Sequence, residues 1–88
     1  MRRAAKIDAN QPEIVEALRA AGFWVQSLAA VGHGFPDLIA TKKSGAIMLL
    51  EVKMPGERLT HDEFDWHGRF PGPVYVVHSA EEALAIME

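Results

Sequence analysis

The feature that most constrains the fold of this chain is the apolar run at residues 46–50, which ends in Glu51-Val52-Lys53. A continuous apolar run of this length predicts a strand that is covered on both faces. Because side chains alternate along a strand, Glu51 and Lys53 project to one face, while Val52 points to the other. An acidic and a basic side chain therefore emerge together from the end of an apolar strand.

A shorter apolar stretch precedes this run, and we predict that the two form an antiparallel hairpin. The length of its loop decides where Asp37 lies. A two-residue turn would set Asp37 opposite Val52, whereas a three-residue loop at residues 43–45 would set it opposite Glu51. We predict the three-residue loop, because Gly45 then stands where such loops need a left-handed backbone, which glycine adopts at little cost.

The predicted register makes Asp37 and Glu51 neighbours across the hairpin, with roughly 5 Å between their Cβ atoms. Two carboxylates at that distance disfavour each other's ionisation unless a cation lies between them. A small number of oxygen ligands, with water completing the shell, suits Mg²⁺ or Mn²⁺ better than zinc. The chain has no Cys, which excludes disulfides and thiolate zinc sites.

Two segments of the chain resemble the PD-(D/E)XK nuclease signature, Gly34-Phe35-Pro36-Asp37-Leu38 and Glu51-Val52-Lys53. They are more closely similar to the stand-alone virus-type replication-repair nuclease (VRR-NUC) domains of phages and bacteria, and the similarity continues through Leu59-Thr60 and PVYVVHSAEEAL. The resemblance implies that Asp37 and Glu51 bind catalytic Mg²⁺ or Mn²⁺ together with the Val52 backbone carbonyl. It also implies that Lys53 positions or activates the attacking water.

The pattern of the chain predicts one α/β domain over residues 1–88, with a basic N-terminal arm at residues 1–9. We predict the element order αβββαβα, a mixed sheet flanked by helices, which is the minimal restriction-endonuclease-like fold. The connection through the second helix should make the last strand parallel to the Glu51 strand. The predicted elements are a helix at 11–21, a strand at 23–30, the hairpin, a helix that opens at Thr60 and stops at Gly68, a strand at 73–78 and a helix that opens at Ser79.

Three further polar residues are candidates for accessory roles. Related nucleases carry a glutamate near the start of the first helix, where this chain has Gln11. Glu13 is displaced from that position and fits a helix cap with Asn10. In the second helix, Thr60 and Glu63 form a capping-box pattern, at a position where the family tends to place a glutamine near the metal. Glu63 is therefore either a cap or a supporting group of the site.

The candidate substrate contacts lie in the loops. The glycines beside His33, Gly34 among them, allow the backbone to approach phosphate, and His33 either contacts phosphate or is simply exposed. Lys42 and Lys43 at the hairpin tip are further candidate contacts. Arg58 and Arg69 either extend a basic strip near the site or are ordinary surface charges. On the second helix we expect Phe64 and His67 to pack inward and Trp66 to be a core or dimer contact.

The charge balance bears on the kind of partner. A net charge of −3 argues mildly against nucleic-acid binding. Much of the negative charge is concentrated near the C-terminus, however, in Glu81, Glu82 and Glu88. No apolar run approaches the length of a membrane span, and no apolar signal core follows the N-terminal basic residues, so we expect a cytoplasmic protein without membrane association.

The resulting prediction is a metal-dependent, structure-selective DNA endonuclease, and the resemblance implies a homodimer that acts on branched DNA such as four-way junctions. A catalytically inactive nuclease-fold module that binds DNA or protein is the alternative. It is favoured by Gln11 and by the acidic net charge. A weaker alternative is a small-molecule-binding α/β domain, in which the polar cluster is an ordinary buried ion pair.

Overall fold

Seven elements follow one another in the predicted order αβββαβα. The computed structural model describes residues 7–88, so most of the predicted basic arm, with Arg2, Arg3 and Lys6, lies outside the described residues. Within that part of the chain, the helices run to ten residues at most, and none is long and apolar enough to span a membrane. The elements are α1 (Gln11–Ala20), β1 (Trp24–Ser27), β2 (Leu38–Thr41), β3 (Ile47–Val52), α2 (His61–Arg69), β4 (Tyr75–Val77) and α3 (Ala80–Met87).

The four strands form one mixed sheet in the order β1-β2-β3-β4. The β1–β2 and β2–β3 pairs are antiparallel, whereas β3 and β4 are parallel, as the connection through α2 predicts. The hairpin of β2 and β3 has the predicted three-residue tip, since the Lys42 N–H donates to the Ala46 carbonyl at 2.8 Å and residues 43–45 form the loop. Gly45 adopts the left-handed conformation, with φ of 93°.

One face of the sheet carries the hydrophobic core, and α1 and α3 pack against it and against each other. Every second side chain of the strands points into this core, as the period of a strand requires. The core side chains are Ile14, Leu18, Phe23, Val25, Leu38, Ala40, Met48, Leu50, Val52, Val77, Ala83 and Met87.

The opposite face of the sheet is covered at one end by α2, and no element of residues 7–88 lies over its other end. The prediction that β3 is covered on both faces is therefore wrong at Ile47, whose side chain is 68% exposed. The prediction that Phe64 packs inward is also wrong, because this side chain is 69% exposed and no α2 residue is buried. Trp66 is half-buried and stacks on Phe70, with 4.8 Å between the ring centroids.

The ends of several elements differ from their predicted positions. The first strand covers residues 24–27 rather than 23–30. The second helix continues through Gly68 and ends at Arg69. Its end is set by Pro71, because the residue before a proline is disfavoured in the helical conformation. Phe70 accordingly has an extended backbone, with φ of −75° and ψ of 126°.

Candidate active site

The hairpin brings together the two acids that the sequence singles out. Leu38 pairs with Leu50, and one further step of the same register sets Asp37 opposite Glu51, as predicted. Both side chains are buried, and they project to the face of the sheet that α2 partly covers. Lys53, two residues beyond Glu51, is buried at the same end of the strand.

The backbone beside Asp37 lacks one donor of the hairpin ladder. The Lys42–Ala46 hydrogen bond fixes which residues of β2 and β3 face each other as bonded pairs, and such pairs occur at every second residue. Val52 would therefore pair with Pro36, which has no N–H to donate. The Val52 N–H donates instead to Asp37 Oδ2 at 2.7 Å, and the Val52 carbonyl receives no ladder hydrogen bond from β2.

The Glu51 carboxyl group is fully buried and only half satisfied. Its Oε1 lies 2.9 Å from His67 Nε2, which confirms that His67 faces inward. Its Oε2 is buried without a hydrogen-bond partner. Burial, reinforced by the neighbouring Asp37 and Glu63, raises the pKa of Glu51 to about 11. Without a cation the group is therefore protonated at neutral pH.

Glu63 connects the start of α2 to Lys53. Its Oε1 lies 2.6 Å from Lys53 Nζ and accepts the Thr60 N–H at 2.8 Å. The Thr60 hydroxyl in turn accepts the Glu63 N–H, which completes the predicted capping box. Burial alone would lower the pKa of Lys53, but the bonded Glu63 carboxylate raises it above its ordinary value. Glu63 therefore caps the helix and holds the lysine charged.

Sequence reasoning missed the segment before α1. The Asn10 side chain does not cap the helix, because its Oδ1 accepts no helix N–H and is buried without a hydrogen-bond partner. Its Nδ2 instead donates to the Lys53 and His78 carbonyls at 3.1 Å and 2.9 Å. Asp8, two residues earlier, is half-buried. Burial raises the pKa of Asp8, the nearby Glu57 raises it further, and the positive charge of Lys53 acts in the opposite direction. The only feature of the sequence that marks Asp8 is its position ahead of the helix, three residues before Gln11.

The predicted accessory residues of α1 lie in different surroundings. Gln11 is buried, and its Oε1 has no hydrogen-bond partner. It lines a groove beside α1 together with Ile7 and Ser27. Glu13 is exposed, and no helix cap involving it is formed with Asn10. The predicted capping box at this helix is therefore wrong.

The loop before Asp37 is held against α2. The Phe35 N–H donates to the Gly32 carbonyl at 3.1 Å, which closes a turn. His33 and Gly34, at its centre, both have left-handed backbones, with φ of 57° and 81°. A Cβ at Gly34 would overlap the Asp62 carbonyl in the first turn of α2. Glycine is needed here for that close approach, while His33 is exposed.

The predicted basic contacts are not gathered at the carboxylates. Lys42 and Lys43 lie at the hairpin tip, at the opposite end of β2 from Asp37. Five residues of strand separate Lys42 from Asp37, or roughly 16 Å. Lys43 Nζ stands 5.7 Å from the centroid of the Phe23 ring, within range of a cation–π interaction. Arg58 is exposed in the loop between β3 and α2.

The predicted metal ligands are all oxygen atoms. Within residues 7–88, no three His, Cys, Asp or Glu side chains are grouped to hold a metal by themselves. Asp37 and Glu51 offer two carboxylates, and the Val52 carbonyl is the third predicted ligand. The unpartnered Glu51 Oε2 fits a bound cation, because a buried polar atom without a partner is costly. An oxygen-only set completed by water suits Mg²⁺ or Mn²⁺.

A mixed four-stranded sheet with flanking helices and an acid pair beside a lysine defines a small α/β protein of nuclease type. A family model described as the VRR-NUC domain matches residues 4–81, so the chain belongs to the VRR-NUC family. A solved structure titled "VRR_NUC domain" shares the fold, with a TM-score of 0.69 and 24% identity over 90% of this chain and 95% of that chain. A comparison with curated proteins gave no match.

Membership of the family gives the function in general terms. VRR-NUC domains are nuclease domains and are generally metal-dependent, so the function of the chain is of nuclease type and its substrate class is DNA. The predicted resemblance is confirmed by both matches.

Proposed function

We propose that this protein is a Mg²⁺- or Mn²⁺-dependent endodeoxyribonuclease that acts as a homodimer on branched DNA such as four-way junctions. The observation that carries the proposal is the buried pair Asp37 and Glu51, with its unpartnered Glu51 Oε2, beside the charged Lys53. In a purely structural protein, two buried acids of this kind would be costly to keep.

In this proposal Asp37, Glu51 and the Val52 carbonyl hold the divalent cation. When bound, the cation supplies Lewis-acid activation of the scissile phosphate and of the attacking water. The Val52 N–H fixes the orientation of the Asp37 carboxylate through its 2.7 Å hydrogen bond. His67 restrains the other acid by its contact with Glu51 Oε1.

Lys53 has the role of orienting the water and offsetting negative charge as it develops on the phosphate. The water oxygen forms a bond to phosphorus and gives up a proton to solvent, the bond from phosphorus to the leaving sugar oxygen breaks, and the leaving oxygen takes a proton from solvent. Glu63 keeps the lysine protonated and aimed into the site through its 2.6 Å contact. Lys53 therefore acts as a charged group rather than as a neutral base.

The proposal also assigns contacts to DNA and a symmetric dimer. His33 and Arg58 are exposed on loops that adjoin the elements of the site, with Gly34 in the same turn as His33, and Lys42 and Lys43 would meet phosphates farther along the DNA. All the proposed ligands come from one chain. Two copies related by a two-fold axis would therefore present two complete sites, one for each of two strands.

The test is cleavage of a synthetic four-way junction beside linear duplex, flapped and single-stranded DNA, with Mg²⁺, Mn²⁺ or EDTA. We expect paired cuts in the junction that require the metal and fall at least 100-fold in Asp37→Asn and Lys53→Ala. Asp65→Asn is the matched control, because Asp65 is an exposed acid of α2 that pairs only with Arg69 among the described residues.

Each result decides a separate part of the proposal. Full activity in Asp37→Asn would end the assignment of the site. Equal cutting of linear duplex would end the preference for branched DNA. Binding of the junction without cleavage under any metal condition would instead establish the inactive binding module.

A further inference from the structure

Three aromatic side chains form a cluster beside the candidate active site. The Trp66 ring stacks on Phe70, with 4.8 Å between the centroids and 20° between the ring planes. The Phe35 ring packs edge-on against Trp66, also with 4.8 Å between the centroids. We call these three side chains the aromatic cluster; it joins the end of α2 to the loop before Asp37.

The aromatic cluster is separate from the hydrophobic core. The core of residues 7–88 lies between the sheet, α1 and α3, and it does not include any of the three rings. All three side chains are half-buried, so part of each remains open to water. Scattered single apolar side chains on a surface need no explanation, but a contiguous set of this kind marks an interaction site.

A small pocket opens beside the aromatic cluster. It has a volume of about 220 Å³ and is lined by Trp66, Arg69, Phe70 and Pro71. Pockets for drug-sized ligands measure roughly 300–1,000 Å³, so this one has room for a single ring system. The Phe70 ring is held in place, because it lies against Gly72, where a Cβ would stand 2.7 Å from its Cε2 atom. The pocket is therefore preformed and has aromatic walls.

Arg69 places a positive charge at the rim of this pocket. Its side chain is 68% exposed, and its Nε lies 3.3 Å from Asp65 Oδ2. An ion pair so open to water is weak, so the guanidinium can turn to a phosphate, which it binds through two parallel hydrogen bonds. Aromatic rings beside a cation are the combination with which proteins hold an unpaired base and its phosphate.

The pocket lies close to the proposed reaction. Trp66 precedes His67, whose Nε2 stands 2.9 Å from Glu51 Oε1. Phe35 is two residues before Asp37, or roughly 7 Å along an extended chain. Successive nucleotides of one strand rise by about 3.4 Å. A base held at the aromatic cluster therefore belongs to a nucleotide only a few positions from the scissile phosphate.

We propose that the aromatic cluster binds an unpaired base of the DNA substrate and that the protein selects branched DNA through this contact. In linear duplex every base is paired and stacked, so none can enter the pocket without the cost of unpairing and unstacking. At a branch point the stack is interrupted, and in a flap the bases are already unpaired, so the cost is lower. The inference rests on the proposed function, because it takes the DNA cleaved at the acid pair as its ligand.

The test is binding of flapped DNA in EDTA, followed by fluorescence anisotropy, because the proposed cleavage requires a metal. Three flaps share one sequence: one is intact, one has abasic residues beside the branch point, and one has abasic residues at the far end of the flap. An abasic residue keeps its phosphate, so the comparison isolates the base. We expect the wild type to bind the second flap about 5- to 150-fold more weakly than the other two, the range for a base stacked on an aromatic side chain.

A variant of the aromatic cluster should lose this discrimination. Phe70→Leu removes one ring and keeps an apolar side chain, so it should bind all three flaps weakly, while Phe70→Tyr should behave as the wild type. Phe64→Leu is the matched control, because Phe64 is a 69% exposed aromatic side chain of α2 outside the cluster. Linear duplex should be bound equally by all four proteins, and thermal unfolding shows that each variant is folded.

Two results would overturn the inference. The first is equal affinity of the wild type for the intact flap and the flap with abasic residues beside the branch point, which needs no variant. The second is an equal loss of flap and duplex binding in Phe70→Leu, since displacement of α2 would weaken both.

Cleavage by the wild type keeps this result separate from the proposed function. Base-dependent binding without cleavage in Mg²⁺ or Mn²⁺ supports the inference and removes the nuclease. Metal-dependent cleavage that is equal for the intact flap and the flap with abasic residues beside the branch point removes the inference and keeps the nuclease.

Discussion

The protonation state of the Glu51 carboxyl group affects both metal binding and the stability of the fold. The fully buried carboxyl has one oxygen against His67 and another with no partner. Burial, followed by Asp37 and Glu63, raises its pKa to about 11. A protein without metal can therefore keep this residue in place only as the neutral acid, and a bound cation would have to displace the proton.

The stability of the metal-free protein should fall as the pH rises. The pKa of Glu51 is raised from 4.5 to about 11 on folding, so the folded chain holds a proton that the unfolded chain releases. Its contribution is full below about pH 4.5 and is lost as the pH rises toward the folded pKa. In EDTA between pH 5 and 9, the melting temperature of the wild type should fall relative to that of Glu51→Gln.

The comparison with Glu51→Gln isolates this residue, since Asp37, Glu63 and His67, which face it, are present in both proteins. Burial lowers the pKa of His67, so that side chain charges only at the acid end of the range, and it does so in both proteins. Melting temperatures that run parallel over the whole range would contradict the prediction.

Pro36 should matter through the N–H group that it lacks. In Pro36→Ala the new N–H can donate to the Val52 carbonyl and compete with a metal for that oxygen. A backbone hydrogen bond contributes roughly 0.5–1.5 kcal/mol net, so Mn²⁺ affinity, measured by electron paramagnetic resonance, should fall about two- to tenfold. Pro73→Ala, at an exposed proline, is the control. Equal affinities in both variants would argue against the Val52 carbonyl as a ligand.

At the scale of elements, α2 is attached to the rest of the protein through the site and through the loop before Asp37. None of its side chains is buried. It contacts the site through Glu63 with Lys53 and His67 with Glu51, and it contacts the loop through Trp66, whose ring packs edge-on against Phe35 with 4.8 Å between the centroids. The position of the helix therefore depends in part on the two side chains that the proposed reaction uses.

Gly34 should be the glycine least tolerant of substitution in the loop and hairpin that carry the site. Gly34→Ala places a Cβ against the Asp62 carbonyl, whereas a Cβ at Gly45 meets nothing within 4 Å. Both positions have a left-handed backbone, which costs roughly 1–2 kcal/mol for alanine. Gly34→Ala should therefore lower the free energy of unfolding by more than Gly45→Ala, as urea denaturation would measure. Equal losses would mean that α2 moves aside at no cost.

Local rules predicted some elements well and others poorly. The capping box of Thr60 and Glu63 and the tip with Gly45 involve neighbours in sequence, so both were predictable. The sequence predicts a helix cap at Asn10, but the observed partners of its amide, the Lys53 and His78 carbonyls, are 43 and 68 residues away. A short polar side chain before a helix can serve either purpose, and only the folded chain decides between them.

At the scale of the whole molecule, the hydrophobic pattern of a strand predicts which of its faces are buried but not which part of the molecule buries them. The apolar run of β3 predicted cover on both faces, and one chain provides it fully on one face only. The predicted candidate acids and lysine came together because the hairpin register joins them. Asp8 was missed because its nearness to Lys53 depends on how the segment before α1 is held at the ends of β3 and β4, where Asn10 donates to the Lys53 and His78 carbonyls.

Thermal unfolding of the whole protein should depend on its concentration. If two copies of the chain pair as proposed, the folded dimer is favoured by mass action, and the melting temperature of the wild type rises with protein concentration. Calorimetry or circular dichroism over a hundredfold range of protein concentration would record this rise. A constant melting temperature for the wild type would argue against a dimer that dissociates on unfolding.

The three-residue tip at residues 43–45 also bears on how chains of this kind can change in length. Surface loops ordinarily accept insertions and deletions, but here a one-residue deletion after which the chain re-forms a three-residue tip shifts the strand register by one residue and moves Asp37 off Glu51. Such a deletion would keep every residue of the nuclease signature in the sequence and still separate the two acids. We therefore expect length changes among relatives to spare this turn, and an intact signature to be insufficient evidence of activity where the turn is shorter.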